Sequence, residues 1–374
     1  MTRYRFVCLI ATLCTGVASA QVAYVYVPTP KGIYAYDASS AGKLTEIEGS
    51  PFTQTSGLMI GSNGKYFITL GTDYVHSYDI ASNGAIEKQV SEINTQLYGG
   101  SECGTTGGAT LDHTGQYVYV NLDDALEGGD QFCATMQTFQ ISSSGVLTFK
   151  GDIVLDSFKS AQLPVVVAGS EKFAYSLMGI ADACELTINS FTRESTGTLE
   201  PADGGVVNPE AQPGGWYYFP NAMTEDPTNH LAVAITPEMD APCGTLGPQQ
   251  LGSFTEASQG ELISTNTYKN MPTVPGGVGT MRMSPSGKLL AITTGSGVQM
   301  FHFNAASPIT EFTGIIGTGG SISAIQWDTD SHLYALNASG KLHVYTATTT
   351  SVKEVAGSPY VMSAGASSVL VVSR

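Results

Sequence analysis

Short apolar runs rich in Val, Ile, Tyr and Phe recur along the whole chain, each bounded by Gly, Ser, Asn or Asp. Runs of that length and composition predict β-strands. One stretch shows the pattern most plainly. Gly57-Leu-Met-Ile60 is followed by a turn at Ser62-Asn-Gly-Lys65 and then by Tyr66-Phe-Ile-Thr-Leu70. Tyr74-Val-His-Ser-Tyr-Asp-Ile80, a turn at Ser82-Asn-Gly84, and Ile86-Glu-Lys-Gln-Val90 complete it. Four strands joined by tight turns in about 40 residues are the size and order of one propeller blade.

The unit returns along the chain. Ala109-Thr-Leu-Asp-His-Thr-Gly-Gln-Tyr-Val-Tyr-Val120 opens a third copy, Val165-Val-Val167 a fourth, Leu231-Ala-Val-Ala-Ile235 marks a fifth, Met281-Arg-Met283 a sixth and Ala324-Ile-Gln-Trp327 a seventh. An aromatic in the third strand keeps the register: Tyr36, Tyr78, Phe139, Phe191, Phe254, Phe303 and Tyr345. The first unit, beginning at Ala23-Tyr-Val-Tyr-Val27, has three strands and lacks the inner one. The last residues, Ser367 to Arg374, contain Val369-Leu-Val-Val372 with no hairpin partner after it. The expectation is an all-β, seven-bladed β-propeller of four-stranded antiparallel blades, a single domain over 21–374, with the C-terminal strand completing blade one. Blades covered on both faces account for the weak apolar–polar alternation, and closure removes the exposed edges of an open ring.

Residues 1–20 read differently. Arg3 and Arg5 precede an apolar run from Phe6 to Val17, and Ala18-Ser19-Ala20 supplies a small-x-small cleavage pattern, as in a secretory signal peptide. The run is too short for a membrane anchor, so the expected location is secreted or periplasmic, without membrane insertion. Cleavage after Ala20 leaves 14 basic against 32 acidic residues, a net charge of −18. That field repels nucleic acid, anionic membranes and phosphorylated metabolites and keeps an exported protein soluble and monomeric. It favours neutral or cationic ligands, with a neutral small molecule, a glycan or a protein as the expected partner.

Charge and cysteines also pick out one face. The long connections of blades three, four and five carry Asp123, Asp124, Asp182, Glu185, Glu238 and Asp240. Clustered carboxylates at a mouth can hold Ca²⁺ or move protons, although no spacing here matches a calcium loop, and no cofactor is implied. Four cysteines remain after the leader, and four allow three connectivities. Their loops favour Cys103–Cys133 and Cys184–Cys243, as structural disulfides in an oxidising compartment. No zinc spacing occurs. Trp216 and Tyr217, in Gly214-Gly-Trp-Tyr-Tyr-Phe-Pro220, are read as part of the connection into blade five, as an aromatic wall for a flat ligand or a wedge between blades. Asn337-Ala-Ser339 is a glycosylation sequon.

Tyr117-Val-Tyr-Val-Asn121, Ser284-Pro-Ser-Gly-Lys288 and Tyr36-Asp-Ala-Ser-Ser-Ala-Gly-Lys-Leu44 resemble the repeats of the seven-bladed lactonase family, the 6-phosphogluconolactonase-like and YVTN-type propellers. The resemblance implies ring-opening of a lactone in the central funnel. Members acting on phosphorylated sugars carry a His and an Arg-His pair at the starts of inner strands, where this chain has Gln162-Leu-Pro164 and Asn221-Ala-Met223. Glu238 stands near the position of a family acid, and Arg282 is the one basic side chain in an expected inner strand. The readings are an exported binding or interaction propeller with candidate ligand residues including Asn221 and Arg282, a lactonase-type ester hydrolase for an uncharged lactone with Glu238 as catalytic base, or a structural repeat protein.

Overall fold

The computed structural model describes residues 20–53, 57–98, 106–125, 132–154, 159–161, 165–180, 186–239, 244–362 and 365–374. The strands form seven sheets, and within each the main strands pair antiparallel in a meander. Blade one runs, from outside inward, Leu44–Glu46, Gly32–Ser39, Gln21–Thr29 and Leu370–Ser373. The C-terminal strand is therefore the inner strand of the first blade, with Ala23 opposite Ser373 and Tyr26 opposite Leu370. Blade two (Leu58–Ser62 to Ile86–Asn94) and blade three (Thr106–Leu111 to Leu147–Val154) have four strands each.

The later blades carry additions. In blade four, Lys159–Ala161 and Val166–Val167 both pair with the second strand, Phe173–Ile180. Blade five gains Val206–Val207, parallel to Leu262–Ile263. Blades six and seven carry Ile316–Gly317 and Tyr360–Val361 beside their third strands. The Trp216–Pro220 run differs from its expected place in a connection. It is the first half of the ten-residue inner strand Trp216–Glu225, paired with Leu231–Met239 through a bulge at Asn221. Its alternation of buried Tyr218 and Pro220 with exposed Tyr217 suits a strand. Likewise, Asp123 and Asp124 belong to the strand Tyr117–Ala125 rather than to a loop.

The core lies between blades. In the closing strand, Leu370 and Val372 pack toward blade two with Tyr24, Tyr26 and Phe67, whereas Val371 packs toward blade seven with Tyr334 and Val344. Successive side chains point to opposite faces of a strand, and both faces here are covered. A second device links neighbours. Tyr24, Tyr66 and Tyr117 each lie over a left-handed glycine in the third-to-fourth strand turn of the next blade: Gly84, Gly145 and Gly197. Two residues along, the Tyr26 hydroxyl donates to the Gly84 carbonyl at 2.9 Å and the Tyr119 hydroxyl to the Gly197 carbonyl at 2.8 Å. The Tyr-Val-Tyr-Val repeat is thus a latch, with alternate tyrosines on the face that meets the next turn. Asn337 of the sequon is fully buried, donating to the Thr318 carbonyl at 2.8 Å and accepting from Lys341 N at 2.9 Å. In the fold it is closed to glycosylation.

Candidate functional site

The inner strands of blades two to seven enclose a central cavity of about 570 Å³. Its wall mixes apolar and polar surface in similar amounts, with Ile60, Leu111, Val166, Met223 and Trp327 among the apolar lining residues. A volume of that order is typical of small-molecule sites. The polar groups that matter are Arg282, Glu225 and His113.

Arg282 is the middle residue of the inner strand Met281–Met283. Met281 is buried among the side chains of blade six, and strand alternation turns Arg282 to the channel. Its guanidinium donates to the Met281 carbonyl at 3.1 Å, and the Trp327 indole N–H holds the Arg282 carbonyl at 3.1 Å. The side chain is open to channel water but walled in by protein. That withdrawal from bulk solvent lowers its pKa below the usual guanidinium value, against the pull of Glu225. Among the described residues no carboxylate oxygen comes within the 4.0 Å of an ion pair. An arginine stays charged in such a place.

His113 sits in the turn after the inner strand of blade three. Asp112 shapes that turn: its Oδ1 accepts from Gln116 N at 2.8 Å and Tyr117 N at 2.9 Å. The imidazole Nδ1 is 3.1 Å from Glu171 Oε1 in blade four, and Nε2 is 3.1 Å from Glu225 Oε1 at the end of the inner strand of blade five. The hydrogen bond to Glu225 raises the His113 pKa above its usual value; burial opposes it, and the charges of Glu225, Glu171 and Asp112 add to it. Arg193 backs the cluster, bonded to Asp112, to Glu171 at 2.6 Å and to the Tyr119 hydroxyl at 2.8 Å.

The residues singled out in the sequence fall into separate places. Arg282 lines the channel. Asn221, one residue above the lining segment, accepts from the Thr236 hydroxyl. Glu238 is 2% exposed, is not among the channel-lining residues, and accepts from the Gly244 backbone N–H. Tyr217 and Leu246 pair with it from either side and are 57% and 66% exposed. Trp216 is half-buried at the same end. The backbone of Asp124 pairs with Cys133, and that of Asp123 with Ala134. Asp182, Glu185, Asp240, Cys103, Cys184 and Cys243 lie outside the described residues, as does the leader through residue 19. Both expected disulfides therefore involve positions that are not described. Among the described residues no three His, Cys, Asp or Glu side chains converge as metal ligands. Likewise, no described helix is long and apolar enough to cross a membrane.

The sequence reading missed Glu225 and His113 as a pair. The expected mouth was that of the long loops, whereas these two lie where inner strands end, at the tight-turn face. The signal was local: Asp112-His113 and Glu225-Asp226 both stand at the inner-strand ends of their units.

No protein-family model matches the chain, and no curated protein matches it in sequence. Solved structures do. A protein from Lactobacillus plantarum superposes over 94% of this chain and 100% of its own, at 13% identity and a TM-score of 0.62. A functionally unknown protein from Desulfotomaculum acetoxidans covers 94% and 98%, at 16% identity and 0.56. A Bacteroides uniformis protein, provisionally a 6-phosphogluconolactonase, covers 94% and 100% at 14% identity, but its TM-score of 0.38 is too low to carry weight. The chain is a seven-bladed β-propeller. At these identities the likeness speaks for fold, and function has to come from the site.

Proposed function

We propose that the protein is an exported binding propeller that holds a small amphipathic molecule in its central channel, with a polar or singly anionic head against Arg282. The observation that carries this reading is an accessible guanidinium that has no carboxylate partner among the described residues, set in a channel wall with apolar side chains beside it. Solvating that charge with one ligand group while an apolar part covers Ile60, Leu111, Met223 and Trp327 satisfies both kinds of surface. The strongly acidic chain disfavours multiply charged anions, which limits an anionic head to one negative charge. The leader-like segment at residues 1–20 supports a secreted or periplasmic setting.

Hydrolysis of an uncharged lactone is the second reading. It is favoured by Glu225 and His113, a carboxylate and an imidazole at 3.1 Å in the channel, which are suited to activating water. The test is fluorescence titration with 8-anilinonaphthalene-1-sulfonate, an apolar monoanion, beside a turnover assay on neutral lactones. Binding at one saturable site that is lost in Arg282→Gln supports the channel reading. Equal binding by both proteins overturns it, and lactone turnover lost in Glu225→Gln moves the assignment to the hydrolase.

A further inference from the structure

We propose that His113 is a positioning residue for the channel: as an imidazolium bonded to Glu225 it offsets the charge of that carboxylate and so keeps the Arg282 guanidinium available to an anionic head group. This rests on the channel-binding reading and adds its control by protons. The geometry is the starting point. Each ring nitrogen of His113 faces a carboxylate oxygen at 3.1 Å, Nδ1 toward Glu171 and Nε2 toward Glu225. The Nε2 contact with Glu225 has hydrogen-bond geometry, and the Nδ1 contact with Glu171 is an ion-pair distance. A neutral imidazole with its proton on Nε2 keeps the bond to Glu225 but brings no charge, whereas the imidazolium places a positive charge beside both carboxylates.

The charged surroundings decide which carboxylate is left uncompensated when the proton leaves. Asp112, on the same turn, is bonded by Arg193 and by the backbone of its own turn. Glu171, from the corresponding turn of blade four, keeps Arg193 at 2.6 Å. The neighbouring turn of blade two contributes Ser62 and Asn63, which are uncharged. Glu225 has no other ion pair among the described residues, yet its charge already acts on Arg282 from the adjacent inner strand. Loss of the proton therefore leaves the charge of Glu225 uncompensated, and it then acts in full on Arg282. That pull competes for the seat an anionic ligand would use.

The experiment is the pH dependence of 8-anilinonaphthalene-1-sulfonate affinity between about pH 5 and 9, a range over which the sulfonate stays charged, so any change arises in the protein. Wild type is expected to bind tightly at the acid end and about tenfold more weakly at the alkaline end, a typical coupling between sites. His113→Gln should bind weakly at every pH, Glu225→Gln tightly at every pH, and the double variant like Glu225→Gln. A flat wild-type profile that still depends on Arg282 overturns the positioning role and leaves the channel reading standing. The wild-type profile persisting in Glu225→Gln overturns it as well, and binding indifferent to Arg282 overturns both. Circular dichroism of each variant confirms that the fold is intact, and Glu225→Gln, which removes no cation, tests the idea should His113→Gln fail to fold.

Discussion

Val25, in the first strand of the ring, pairs with Val371, in the last. Their neighbours Tyr24 and Val372 pair likewise, and all four side chains are buried. Leu370, Val371 and Val372 are each less than 10% exposed, and burying such a side chain contributes about 1.5–3 kcal/mol. Three of them approach the whole net stability of a domain, about 5–15 kcal/mol. Removing Ser367–Arg374 should abolish cooperative melting in calorimetry or lower the midpoint by well over 10 °C, on the basis of roughly 2–4 °C per kcal/mol. A truncated protein that melts like the intact one would show that the closure carries little.

The tyrosine–glycine latch makes Gly197 sensitive. A Cβ there would stand 2.2 Å from the Tyr117 ring, and the backbone is left-handed at φ +82°. The conformation costs a non-glycine residue about 1–2 kcal/mol and overpacking about 1–3 kcal/mol. Gly197→Ala should destabilise by about 2–5 kcal/mol in urea titration, whereas Gly205→Ala, with open space around it, should change little.

Arg193 sits between Asp112, whose side chain is fully buried, and Glu171. Removing one partner of a buried pair costs about 3–5 kcal/mol, because it leaves a charge without its counterion. Arg193→Met should show a loss of that size, and adding Asp112→Asn should recover part of it, as a double-mutant cycle would measure.

His113 also gives stability a pH dependence of known sign. Its folded-state pKa lies above the usual value of 6.5, so the folded state binds the proton more tightly. The resulting stabilisation is complete below about 6.5 and disappears as pH climbs through the raised value. Urea midpoints of wild type and His113→Gln should therefore differ more at pH 5.5 than at pH 9. A gap that widens toward alkaline pH would contradict the assignment.

The blade count and the closing strand were legible because each rests on local pattern: strand-length apolar runs, turn glycines and an unpartnered Val369-Leu-Val-Val372. Arg282 was legible because a lone cation in an inner strand must face the channel if Met281 and Met283 face the core. Glu225 and His113 were not, since their meeting depends on the twist that brings a turn of blade three to the strand end of blade five. Trp216 and Tyr217 were misplaced for a related reason. A strand that runs five residues past its blade has the same composition as a loop with aromatics, and only the pairing with Pro237–Met239 distinguishes them.

The most direct test of the channel as the binding site is a crystal structure with 8-anilinonaphthalene-1-sulfonate bound. The account predicts the aromatic body in the central cavity, with the sulfonate within about 3 Å of the Arg282 guanidinium. Density at the opposite mouth, beside exposed Tyr217 and Leu246, with none against Arg282, would contradict it.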